Sequence, residues 1–108
     1  MVDRVLSLLG MAQKAGKAPS GGFMVESSVK AGKAFLVIVS EDASDASKKN
    51  YTDMCKYYKV PMYIYGNNDT LGHSIGKEFR VCVCVTDENF AKGIITKLEE
   101  LGNTEVNR

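Results

Sequence analysis

The chain has 108 residues, of which 44% are hydrophobic and 25% charged, with a formal net charge of +1. That length and balance suit one folded domain and exclude a disordered chain, while the near-neutral charge excludes a global basic field for nucleic acid. Three cysteines without a CxxC spacing exclude a disulfide framework and fit a reduced, cytoplasmic protein.

Val2, Val5, Leu6, Leu9 and Ala12 recur at the helical interval, with Asp3 as a cap and Gly16 as a stop. Asp3 and Arg4 interrupt the approach to the short apolar run VLSLLG, so no signal peptide is read there, and no stretch reaches the length of a membrane span. The segment from Lys17 to Pro19 is a candidate short edge strand. A second helix is expected from Gly22 to Gly32, with Met24, Val25, Ser28 and Val29 on its inward stripe. Ala34 to Ser40 (AFLVIVS) is an unbroken apolar, β-branched run, the mark of a strand covered on both faces.

A third helix follows from Ser44 to Tyr58, with Met54, Tyr57 and Tyr58 as its apolar surface. Pro61 opens the strand MYIY, in which Tyr63 and Tyr65 share one face and are expected to pack under a helix. GNNDTLGHSIG reads as a turn and a short helix ending at Gly76. Val81 to Thr86 (VCVCVT) is a second fully buried strand, and Asp87 caps a last helix through Phe90, Ile94, Ile95, Leu98 and Leu101. Strands alternating with helices imply an α/β fold, a layered α/β/α sandwich on a partly parallel sheet of three or four strands.

Catalytic and metal chemistry find little support in these residues. His73 is the lone histidine, on a short helix where a solvated or capping role is commoner. Cys82 and Cys84 share a strand face and could nominally join Cys55 and His73 around a metal, but valines interleave them, and buried core is the stronger reading. No phosphate loop and no dinucleotide fingerprint is present. Glu41 and Asp42 lie just past a strand end, where helix-entry acids beside a macrodipole are the usual explanation. No cofactor, no metal and no enzymatic activity are expected.

Binding features are better marked. From Met1 to Lys33 the cations Arg4, Lys14, Lys17, Lys30 and Lys33 face only Asp3 and Glu26, so a modest basic end coincides with the Gly21–Gly22 pair. Paired glycines before a helix let a phosphate or nucleobase approach the backbone closely. Phe79 stands between Lys77 and Arg80 in the loop GKEFR, a reasonable nucleobase contact, with a hydrophobic plug as the competing reading.

The pieces AGKAFLVIVSEDAS, YYKVPMYIYGNNDTLGHSIGK and RVCVCVTD resemble the kink-turn RNA-binding ribosomal protein superfamily, which contains archaeal ribosomal protein "L seven Ae" and eukaryotic "L thirty e". The resemblance covers nearly the whole chain, and LLGMAQKAGK looks most like the family's short bacterial paralogues. It implies a three-layer α/β/α sandwich with a mixed, about four-stranded sheet. It also implies RNA binding through the start of the second helix and the neighbouring loops. The positions matching the family are Gly21, Glu41, Asp42, Leu71, Gly72, Gly76 and Lys77.

Relatives usually carry Asn or Lys, then Glu or Gln, then Lys three residues on, where this chain has Phe23, Met24 and Ser27. A guanine edge offers O6 and N7 acceptors that a lysine can satisfy and these side chains cannot, so the standard readout is absent. The reading is a monomeric, non-catalytic RNA-binding protein acting on rRNA or another structured RNA, with no membrane or DNA partner. Gly21 and Gly22 would admit backbone; Lys14, Lys17, Lys33, Lys77 and Arg80 would meet phosphates; Phe23 or Phe79 would stack. The alternative is a protein-interaction module in which Phe23 and Met24 form an apolar anchor.

Overall fold

Asp3 accepts the Leu6 amide on its carboxylate at 2.9 Å and so opens the first helix. The structure, a computed structural model, describes residues 3–107. Its elements are α1 (Arg4–Lys14), α2 (Gly22–Lys30), β1 (Leu36–Val39), α3 (Asp45–Tyr58), β2 (Met62–Ile64), α4 (Asn68–Ser74), β3 (Cys82–Val85) and α5 (Glu88–Glu100). Val2, expected on the first helix, lies outside the described residues.

The sheet has the order β2-β1-β3, with β1 parallel to β2 and antiparallel to β3. The unbroken apolar runs have a direct cause: every residue of β1 and β3 is buried. Successive strand side chains point to opposite faces, and the core divides accordingly. Leu36, Ile38, Tyr63, Val83 and Val85 pack with Val5 and Leu9 of α1, Leu71 of α4 and Ile94 and Leu98 of α5. Val37, Val39, Met62, Cys82 and Cys84 pack instead with Val25 and Val29 of α2 and Cys55 of α3. Each such aliphatic side chain contributes about 1.5–3 kcal/mol by leaving water. Tyr63 and Tyr65 do share one face, the side carrying α1, α4 and α5.

The expected edge strand from Lys17 to Pro19 is reduced to a single bridge, Ser20 opposite Val83. Its carbonyls still accept ladder bonds, from Thr86 N to Lys17 O and from Cys84 N to Pro19 O, both at 2.9 Å. Proline has no N–H to return the second bond, so the ladder cannot continue. The sheet therefore has three strands among the described residues.

Three apolar assignments are also corrected. Met24 is 49% exposed, because Val25, Ser28 and Val29 form the i, i+3, i+4 stripe of α2 and Met24 lies a helical step of about 100° away. Tyr57 and Tyr58 are exposed, and α3 packs through Cys55, with Tyr51 and Met54 partly buried beside it. Leu101 is the exposed C-cap of α5.

Cys55, Cys82 and Cys84 all sit inside the α2–α3 side of the core. Burial pushes the Cys55 thiol up to about 12 and the Cys84 thiol up to about 11. Cys82 is also raised by burial, although its S–H donates to the Tyr51 hydroxyl at 3.2 Å. With the thiolate suppressed and the sulfur covered, all three are expected to react with a disulfide reagent roughly a hundredfold or more slowly than in denaturant. Equal rates in folded and denatured protein would refute this burial. The same protons set a pH response. An unfolded Cys55 releases its proton near 9.0 while the folded one holds it to about 12, so stability should fall as pH rises across that window.

Candidate nucleic-acid interface

Four loops meet at the end of the sheet where β1 and β2 finish and β3 begins, joined by a closed chain of hydrogen bonds. Arg80 donates from Nε to Ser20 Oγ at 3.0 Å and from its amide to the Asn68 carbonyl at 3.1 Å. The Asn68 amide donates to Asp42 Oδ2 at 3.1 Å, and the Asp42 amide donates to Ser40 Oγ at 3.0 Å. Ser40 N then donates to Val81 O at 2.7 Å, and Glu41 N to Gly66 O at 2.8 Å. Apart from the Asp42–Ser40 bond, which lies within one turn, each bond ties a turn to a neighbouring turn. Asp42 therefore acts at a helix entry, as the sequence suggested, but at that of α4; Ser44 caps α3.

The glycine pair enters this end for two different reasons. Gly21 is the N-cap of α2 at φ +87°, a conformation L side chains rarely adopt, and its amide donates to Cys82 O at 3.0 Å. A Cβ on Gly22 would stand 3.1 Å from the Tyr51 hydroxyl beneath it. No side chain caps α2, whereas Asp3, Ser44, Asn67 and Asp87 cap the other four helices. The first amides of α2 and the positive end of its dipole are thus presented outward beside Phe23, which is 81% exposed, and Met24.

Phe79 is 53% exposed and precedes Arg80. Its position depends on Gly72, where a Cβ would stand 2.6 Å from Phe79 N and 2.9 Å from Glu78 C and Phe79 Cα. The missing side chain on α4 is the seat of the 77–80 loop. Asn68 Oδ1 lies in the same corner and is buried without a hydrogen-bond partner. An unpaired buried acceptor is uncommon.

The expected lysines do not all converge here. Lys14 and Lys77 line a groove of about 1000 Å³ between α1 and α4, together with His73, Asp3, Asp69 and Glu78, so its charges are mixed. Lys17 lies level with Thr86, just past β3, four residues up an extended segment from Gly21, or about 13 Å away. Lys33 follows the C-terminus of α2 and precedes β1, at the far end of the sheet. The structure brings together Gly21, Gly22, Phe23, Glu41, Asp42, Phe79 and Arg80, places Lys17 and Lys33 away from them, and has Lys14 and Lys77 lining the α1–α4 groove. His73 is likewise remote from the thiols, and among the described residues no cluster of such side chains is placed to hold a metal ion. Ser20, Ser40 and Asn68 were not anticipated. They are small polar residues of the kind any turn contains, and carry no distinguishing signal.

With this geometry in view, similarity to known proteins is decisive. The sequence description of the ribosomal protein L7Ae/L30e/S12e/Gadd45 family matches residues 3–96. The chain belongs to that family. The RNA-binding protein YlxQ of Bacillus subtilis is 46% identical over 92 residues, covering 85% of this chain and 92% of that protein. The large ribosomal subunit protein eL30 of Spodoptera frugiperda is 31% identical over 100 residues, covering 92% and 88% of the two chains. The family resemblance read from the motifs, and with it the likeness to bacterial relatives, is thereby borne out.

The family fold also recurs in solved structures. A protein of unknown function from Bacillus halodurans C superposes with a TM-score of 0.86 at 36% identity, covering 89% of this chain and 97% of that one. The 15.5kD RNA binding protein of Giardia lamblia gives 0.76 at 21% identity, covering 94% and 92%, a likeness of fold alone. Among the described residues no helix is long and apolar enough to cross a membrane.

Proposed function

We propose that this chain is a single-domain, monomeric, non-catalytic cytoplasmic protein that binds structured RNA, such as rRNA, through the end bearing the α2 N-terminus. The division of the core between α1, α4 and α5 on one side and α2 and α3 on the other supports the three-layer reading of its fold. The observation that carries the function is the α2 entry. Gly21 is held at positive φ with nothing within 4 Å of its missing Cβ, and no side chain caps the helix behind it. Backbone can approach closely there, and the amides and dipole favour phosphate. Arg80, fixed by Ser20, supplies the neighbouring cation, and Phe23 and Phe79 supply rings for an extruded base. The names of the relatives YlxQ and eL30 point the same way.

Recognition of this sort is by shape, with weak-to-moderate affinity. Filter binding against a panel of folded RNAs is expected to show retention at low salt, and little retention of duplex DNA. With two or three phosphates contacted, affinity should drop roughly ten- to fortyfold between 50 and 200 mM salt. The exposed Phe23 and Met24 favour a second reading, an apolar protein-docking tip, for which salt matters little. Failure to retain any RNA, with a protein partner lost on Phe23→Ala, would replace the first reading by the second.

A further inference from the structure

β1 and β2 are parallel and begin at one end of the sheet, opposite the hydrogen-bonded loops. Short connections, Lys30 to Leu36 and Tyr58 to Met62, bring the C-termini of α2 and α3 to that same end. Exposed there are Lys33, Phe35, Lys56, Tyr57, Tyr58 and Lys59. Tyr57 is 79% exposed, and its ring stands edge-on to that of Tyr58 with centroids 4.9 Å apart. Among the described residues Lys33, Lys56 and Lys59 form no ion pair; the pairs there involve Lys30, Lys49 and Lys97.

Of the nearby acids, one is ion-paired and one is hydrogen-bonded. Glu26 is held by Lys30 at 2.7 Å, and Glu105, beside Lys56 and Lys59, accepts the Met62 amide at 3.0 Å. Lys59 is also the one non-glycine residue at positive φ among those described, at +59°, in the C-cap position where glycine is usual. Lysines near two helix C-termini partly complement the helix dipoles. Three exposed aromatic rings do not serve that purpose.

We propose that this end is a second RNA-contacting surface, which takes a single-stranded segment: bases stack on Tyr57, Tyr58 and Phe35 while phosphates meet Lys33, Lys56 and Lys59. Aromatic faces flanked by unpaired cations are the chemistry that holds single strands without reading their sequence. An acidic peptide would use the charges and leave the flat rings idle. The surface rests on the RNA-binding reading above for its partner class only, since it shares no residue with the α2 entry. A protein gripping a folded element at one end would thereby hold a flanking strand at the other.

The test is fluorescence anisotropy with a short fluorescein-labelled oligouridine and the full chain at low salt. Tyr57→Ala, and Lys56→Ala with Lys59→Ala, should each weaken oligouridine binding, the first by about 5- to 150-fold. Arg80→Ala, at the opposite end, should leave oligouridine binding unchanged and weaken folded RNA. Tyr57 is so exposed that its removal leaves the core intact. Oligouridine binding lost on Tyr57→Ala in a protein that ignores every folded RNA would uphold this surface and sink the proposed function. No oligouridine binding, binding indifferent to Tyr57→Ala, or binding only to phosphatidylserine vesicles would overturn the surface.

Discussion

Replacing Gly72 by alanine is expected to lower the melting temperature by roughly 5–20 °C. The added methyl would lie 2.6 Å from Phe79 N and 2.9 Å from Glu78 C and Phe79 Cα. All three are backbone atoms, so no side chain can rotate away, and either α4 or the 77–80 loop must move. Overpacking of this sort costs about 1–3 kcal/mol. A moved loop also carries Arg80 away from Ser20 Oγ and the Asn68 carbonyl, which loosens the turns that frame the α2 entry. RNA affinity should therefore drop along with stability. Gly93→Ala is the control. Gly93 lies within α5 with nothing inside 4 Å of where a Cβ would stand. There the same chemical change should stabilise by about 0.5–1 kcal/mol, because alanine loses less backbone freedom on folding. Thermal unfolding followed by circular dichroism separates the two. Equal melting temperatures for Gly72→Ala and the parent would show that the loop does not depend on this seat.

The contrast between Gly72 and Gly93 shows what a sequence can and cannot disclose. Both are single glycines in helices, and only the position of the loop backbone distinguishes them. The buried strands were legible because a strand covered on both faces has no polar position to hide. The α2 entry was legible too, since a glycine pair before a helical stripe has few purposes. The lysines misled, because nearness in sequence was read as nearness in space. Lys17 is separated from Gly21 by an extended segment, and Lys33 by the full length of α2, about 13 Å for nine residues. Met24 misled for a related reason: the stripe of a nine-residue helix is narrow, and one position off it is solvent. Apart from the local Asp42–Ser40 bond, the hydrogen-bonded chain through Ser20, Ser40, Asp42 and Asn68 is made of long-range bonds between turns, which no local pattern encodes.

Restoring polar side chains at the α2 entry should raise affinity for a standard kink-turn RNA by a factor of tens or more. The change is Phe23→Lys with Met24→Gln and Ser27→Lys, the residue types that the kink-turn resemblance implies at these places. Each new hydrogen-bonded pairing of a side chain with a base edge is worth about 1–3 kcal/mol, by analogy with groove readout. The structure makes the experiment cleaner than the sequence did. Phe23 is 81% and Met24 49% exposed, and Ser27 is exposed, so none of the three supports the core that Val25 and Val29 form. A lysine in the first turn of α2 opposes the helix dipole by about 0.3–1 kcal/mol, a small cost that thermal unfolding will register. The rise in affinity should shrink as salt increases, since two of the three new groups are cations. Gly21, its amide fixed to Cys82 O at 3.0 Å, would still offer the backbone approach on which this readout builds. A folded triple variant that binds the kink-turn no better than the parent would place the RNA-facing surface elsewhere. Gly21 and Gly22 would then serve only to turn the chain into α2 above Tyr51.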